Sequence, residues 1–112
     1  MDNEEKANEA YLQAIYGINV KENEKIVLET KTTWSYLFAL YVPGADIKAH
    51  EQVILELKNP EFSCWFAADI PGANIEEHFK VIFNSEDEDS LNEFIKEVNY
   101  KNTKVEEWLL YI

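Results

Sequence analysis

The chain has 112 residues, of which 46% are hydrophobic and 29% charged, and this size and composition suit one folded domain. Its 22 acidic residues outnumber 10 lysines, arginine is absent, and the formal charge of −12 disfavours binding to nucleic acid or to anionic lipid. The aromatic content of 13% excludes a disordered acidic tail.

The N-terminal segment predicts a helix over residues 3–16, followed by Gly17 where a left-handed cap belongs. Apolar residues at helical spacing support this prediction: Ala7, Ala10, Tyr11, Ala14 and Ile15. The segment is acidic where a secretory signal would be basic and apolar, and no run approaches the roughly 18 apolar residues of a membrane span. We therefore expect a cytoplasmic protein, and the lone cysteine, Cys64, fits a reducing compartment.

An internal repeat organises the middle of the chain. At an offset of 28, residues 34–55 (WSYLFALYVPGADIKAHEQVIL) align with residues 62–83 (FSCWFAADIPGANIEEHFKVIF), with ten identities in 22 positions. Each copy has an apolar run, a Pro-Gly turn and a second run, which predicts a β-hairpin with loops at 43–46 and 71–74. In these loops Pro presets φ, and Gly supplies a positive φ.

The paired hairpins predict a four-stranded antiparallel meander, with Ile26–Lys31 as a fifth strand. One face of this sheet would form the core. Its residues would be Tyr36, Phe38, Leu40, Val42, Val53, Leu55, Leu57, Phe62, Cys64, Phe66, Ile70, Phe79, Val81 and Phe83.

A second helix is predicted over residues 87–98, where Leu91, Phe94, Ile95 and Val98 follow helical spacing. The tail, residues 103–112, fits a helix with a capping box, and it also fits a strand; the apolar stripe favours the helix. The sequence thus predicts an α+β fold for residues 1–112 as a single domain, with an antiparallel sheet of about five strands flanked by helices.

The two histidines, His50 and His78, occupy equivalent places in the repeat and would lie on the outer face, about 10 Å apart on alternate strands. This separation is too large for shared zinc ligation, so we expect them to be structural and dispensable for function. Cys64 is expected to be a buried filler, because no base for a nucleophile is near it. No catalytic, phosphate-binding or metal-binding motif is present, so we expect no enzyme activity, no cofactor and no small-molecule substrate.

The acidic residues give the most specific prediction, because the two copies of the repeat differ there. Next to the loop, the first copy would pair Tyr41 with Lys48, whereas the second would pair Asp69 with Glu76. Like charges opposed across strands are destabilising, so this pair suggests a function in binding. Together with an outward Trp65, the acids would form a patch for a basic protein partner. The predicted contact residues are Trp65, Asp69, Glu76, Glu77, Glu86, Asp87, Glu88 and Asp89.

The run at 86–89 has an equally good structural explanation as the acidic start of a helix.

In size, charge and lack of catalytic motifs, and in the segments FIKE at 94–97 and VEEW at 105–108, the chain resembles the immunity proteins of bacterial toxin systems such as contact-dependent growth inhibition. This resemblance implies a cytoplasmic protein that binds a cognate basic toxin, often a nuclease, and covers its active site. The alternatives are a phage-type nucleic-acid mimic and, less favoured, a small hydrolase or nuclease that uses the histidines.

Overall fold

The structure of the protein is a computed structural model that describes residues 1–98, and these residues form seven α-helices. In chain order they are α1 (Asn3–Ile15), α2 (Val20–Thr30), α3 (Trp34–Tyr41), α4 (Ile47–Leu57), α5 (Pro60–Asp69), α6 (Ile75–Ser85) and α7 (Glu88–Val98). No strand is present in this part of the chain, so the predicted α+β fold with a five-stranded antiparallel sheet is wrong. The predicted helix or strand at 103–112 lies outside the described residues.

The chain divides into two compact units, unit 1 (Met1–Leu57) and unit 2 (Lys58–Ile112). In unit 1, α1 packs on α2 and α3, and α4 packs on α2 and α3. In unit 2, α5 packs on α6 and α7, and α6 also packs on α7. The single domain expected for residues 1–112 stays a prediction.

The internal repeat is a helical hairpin, α3–α4 in the first copy and α5–α6 in the second. The Pro-Gly turns connect helices, and their predicted positive φ is confirmed at Gly44 (76°) and Gly72 (84°). Val42 and Ile70 precede the prolines and are extended, each with ψ 116°. Because a residue before proline disfavours the helical conformation, each proline ends the helix in front of it.

The last loop residue of each copy starts the next helix. Asp46 Oδ1 accepts a hydrogen bond from the Ala49 N–H at 3.2 Å, and Asn74 Oδ1 accepts one from the Glu77 N–H at 3.3 Å. Such side chains satisfy N–H groups that have no partner inside the helix, which is the function of an N-cap.

Burial in the repeats follows the helical period. Ser35, Phe38, Ala39 and Val42, spaced at i, i+3, i+4 and i+7, are all buried. Of the predicted core residues, Tyr36, Phe38, Val42, Val53, Cys64, Phe66, Ile70 and Phe79 are buried, whereas Leu57 and Phe83 are 38% and 39% exposed. The strand pattern missed buried residues that only a helix brings inward: Ser35, Ala39, His50, Ile54, Ser63, Ala67, His78 and Ile82.

The repeat extends beyond the two copies that the sequence comparison found. Two sets of buried positions recur every 28 residues and include α1 and α7, namely Ala10, Phe38, Phe66 and Phe94, and Ala14, Val42, Ile70 and Val98. The residues with positive φ that follow α2, α4 and α6 have nearly the same spacing: Lys31, Lys58 and Glu86. Thus α1–α2 is a diverged hairpin of the same kind, and α7 is equivalent by position to α1, α3 and α5.

The flanking helices confirm two sequence predictions and correct a third. Helix α1 begins at the Asp2 cap, whose Oδ1 accepts the Glu5 N–H at 2.8 Å, and Gly17 follows it with a φ of 80°. Helix α7 matches the predicted helix over 87–98. The strand predicted at Ile26–Lys31 is wrong, because all but the last of these residues lie in α2.

Candidate functional site

His50 lies inside unit 1 and holds two hairpins together. Its side chain is fully buried, its ring stacks on Phe38 with centroids 4.9 Å apart, and Nε2 lies 2.9 Å from Glu24 Oε2. The same carboxylate oxygen accepts the Asp46 N–H at 2.8 Å, so Glu24 of α2 is bonded both to the start of α4 and to its histidine. Nothing in the sequence indicated this long-range partner, which is 26 residues from His50.

The charge state of His50 follows from its burial. Desolvation lowers the pKa of His50 and outweighs the opposing effects of the Glu24 hydrogen bond and of the Glu24 and Asp46 charges. The neutral ring therefore donates its Nε2–H to the carboxylate. Fully buried side chains cannot meet a substrate, so the geometry gives His50 a structural role. The expectation that it lies on an outer sheet face is wrong.

His78 has the same burial and the same kind of ring contact in unit 2. It is also fully buried, and its ring stacks on Phe66 with centroids 5.2 Å apart. The predicted outer-face position is wrong for this residue as well. Residues 1–98 contain no group of three or more His, Cys, Asp or Glu side chains that could hold a metal ion.

Cys64 has the properties of a core residue. It is 2% exposed, and burial raises its pKa to about 12, with smaller contributions from Glu93, Glu97 and Asp69. A thiol with such a pKa stays protonated at neutral pH and is a poor nucleophile. The environment of Cys64 therefore supports a role in core packing and not a role as a nucleophile.

Five of the predicted contact residues lie at helix N-termini, where acidic side chains stabilise the helix dipole. Glu76 and Glu77 are in the first turn of α6, and Glu88 and Asp89 are in the first turn of α7. Asp87 caps α7, because its Oδ1 accepts the Ser90 N–H at 3.1 Å. The fold itself explains these five acids.

Asp69 and Glu86 have the opposite placement. Asp69 is the last residue of α5, and Glu86 follows α6 with a φ of 60°. A carboxylate beside the negative end of a helix dipole is unfavourable by about 0.3–1 kcal/mol. The other hairpin has Tyr41 and Lys58 at the equivalent positions, so the repeat does not require an acid at either place.

Trp65 and Asp69 lie one helical turn apart on α5, and the Trp65 side chain is 42% exposed. Phe62 contacts the indole edge-on, with ring centroids 4.9 Å apart, and so supports the orientation of the ring. We call this pair the Trp65–Asp69 surface. An exposed aromatic ring with a carboxylate beside it is suited to a lysine or arginine side chain of a partner.

The structure does not unite all eight predicted residues. Glu76 and Glu77 begin α6 and follow the turn after Asp69, whereas residues 86–89 come after the last turn of α6. At 1.5 Å per residue, the 11 residues of α6 separate the two groups by about 15 Å. The predicted patch is therefore two acidic regions at opposite ends of one helix.

No helix among residues 1–98 combines the length and the apolar character that crossing a membrane requires. No protein-family model matches this sequence, and no curated protein or solved structure matches it either.

Proposed function

We propose that this chain neutralises a basic protein toxin by binding it, with the Trp65–Asp69 surface at the centre of the contact. The observation that carries the proposal is the acid at Asp69. It lies at a helix C-terminus, where the helix dipole disfavours it and where the equivalent hairpin has Tyr41. Residues that depart from a local rule of helix structure are found most often at functional sites.

The overall charge supports a basic partner. At −12 without arginine, the chain would attract a cationic protein over roughly a Debye length, about 8 Å at physiological salt, and speed its capture. Fast capture matters for an inhibitor that must act before a nuclease reaches nucleic acid. The small size and the resemblance to immunity proteins favour a toxin over other basic partners.

The test is protection of a bacterial host. The product of the reading frame directly upstream of this gene would be expressed alone and together with the chain, and growth would be recorded. We expect growth arrest that the wild-type chain relieves. Asp69→Tyr and Trp65→Leu, which install the residues of the other hairpin, should abolish protection while the variants stay folded.

Glu88→Gln is the matched control, since it also removes one carboxylate but changes only a helix start. Equal protection by all variants would remove the Trp65–Asp69 surface from the proposal. If the upstream product is harmless and the purified chain instead displaces DNA from a DNA-binding protein, the chain is a nucleic-acid mimic.

A further inference from the structure

Unit 1 has an exposed apolar surface at the end where its helices turn. Tyr16 is 80% exposed, Ile18 52%, Leu12 48% and Tyr41 58%. Single exposed apolar residues are ordinary, but several together on one surface mark a place where another molecule binds.

These residues come together because α1 and α3 lie side by side in the same direction. Near their starts, Trp34 Nε1 donates to Glu4 Oε2 at 3.0 Å. Further along, the ring of Tyr11 lies 5.6 Å from that of Trp34 and 6.5 Å from that of Phe38, between centroids. Burial and, to a smaller extent, Tyr41 at the end of α3 raise the pKa of Tyr11, so Tyr41 is close to Tyr11.

Contacts of Glu24 place both turns of unit 1 at the same end. Glu24, in the first turns of α2, accepts the Asp46 N–H at 2.8 Å just before α4 begins. The α1–α2 turn, which contains Ile18, is therefore adjacent to the α3–α4 turn, which follows Tyr41. Leu12, in the last turn of α1, and Tyr16, which directly follows α1, lead into this end.

The acids on α1 indicate the chemistry of the occupant. Glu5, Glu9, Leu12 and Tyr16 are all exposed and follow one another at i, i+4, i+7 and i+11, so they lie on one face of the helix. This face is acidic at its start and apolar at its end. A second copy of the chain would meet repulsion between two charges of −12, whereas a cationic partner would be attracted.

We propose that this α1–α3 face, formed by Glu5, Glu9, Leu12, Tyr16 and Tyr41, binds a basic amphipathic helix of a partner protein. The apolar stripe of the partner helix would lie over Leu12, Tyr16 and Tyr41, and its lysines or arginines would meet Glu5 and Glu9. All five residues belong to unit 1 and none belongs to the Trp65–Asp69 surface, so this proposal does not depend on the proposed toxin.

The experiment titrates the full ¹⁵N-labelled chain with a synthetic Leu/Lys amphipathic helix of about five turns. A peptide of the same composition, scrambled so that it has no apolar face, controls for charge alone. We expect the amphipathic peptide to bind at least about tenfold more tightly, with the largest amide shifts around Leu12, Tyr16 and Tyr41.

Leu12→Gln with Tyr16→Gln should weaken binding of the amphipathic peptide by about tenfold, because both side chains are exposed and their loss leaves the core intact. Leu57→Gln is the matched control, since Leu57 is 38% exposed at the far end of α4, and it should leave binding unchanged. Equal binding of the two peptides, or shifts confined to unit 2, would overturn the proposal. So would dimerisation of the wild-type chain that Tyr16→Gln abolishes.

Discussion

At two equivalent positions, one hairpin has lysine and the next has glutamate, with opposite electrostatic consequences. Lys48 becomes Glu76 at the start of the second helix, where an acid suits the dipole. Lys58 becomes Glu86 after the end of that helix, where an acid opposes it. The two exchanges change the net charge equally, so their locations alone distinguish them.

We therefore expect Glu86→Lys to raise the free energy of unfolding by about 0.3–1 kcal/mol and Glu76→Lys to lower it by a similar amount. Both variants make the net charge of the chain less negative by the same amount, so each serves as the other's control. Urea denaturation at low ionic strength measures the difference. Two variants shifted equally in the same direction would show that net charge, and not the helix dipole, governs stability here.

His50 makes unit 1 sensitive to acid. Its pKa in the folded chain is lower than its usual value of about 6.5, mainly because of desolvation. The unfolded chain thus binds a proton more readily, and stability falls as the pH drops below about 6.5. At higher pH the ring is neutral in both states and the contribution is constant.

The measurement is thermal unfolding between pH 8 and pH 5 for the wild-type chain and for His50→Gln. We expect the wild-type melting temperature to fall more steeply on acidification, because only the wild-type chain has the His50 ring. All other titratable groups are common to both proteins and cancel in the comparison. Parallel curves would mean that His50 does not titrate differently on folding.

At the scale of the helices, the almost uniformly apolar composition of some segments made the helical and strand periods of hydrophobic residues indistinguishable. Residues 34–42 are apolar apart from one serine, so a helix face and a strand face fit them equally well. The buried polar side chains at Ser35 and His50 belong to the helical face but looked like outward strand positions. In α2 the polar start left only Ile26–Leu28 as an apolar run, which resembled a short strand.

Helices and turns that are indicated by local signals with a direct physical cause were predicted correctly. The alanine spacing of α1 and the acidic start of α7 indicated helices, and the Pro-Gly pairs indicated turns. The site was only partly predictable. The comparison of repeats drew attention to Asp69, but the expected cross-strand pair of Asp69 with Glu76 is wrong, because both residues lie in helices. Without the helices it could not tell that Glu76 and Glu77 stabilise a helix start.

The turns give a test of the hairpins. Gly44 and Gly72 have φ values of 76° and 84°, and a Cβ at either position would meet no atom within 4 Å. Replacing either glycine by alanine should therefore cost only the backbone strain, about 1 kcal/mol. We expect nearly equal losses in urea denaturation for the two variants. A much larger loss at one turn would mean that the two hairpins are not equivalent.

For the whole molecule, the proposed binding of a basic partner predicts a dependence on salt. If the charge of −12 steers association, the association rate should fall steeply as ionic strength rises, while the dissociation rate changes less. Stopped-flow mixing with the upstream gene product at several salt concentrations measures both rates. An association rate independent of salt would point to a mainly apolar contact.

The spacing of 28 residues between equivalent core positions also bears on how such a chain changes over generations. Duplicating or deleting one hairpin in register leaves the sequence pattern of buried positions unchanged, because those positions recur at the same spacing. Surface residues of one copy can then diverge while another copy keeps the older version. Asp69 and Tyr41 occupy equivalent positions and differ in this way, so each hairpin can carry a surface of its own.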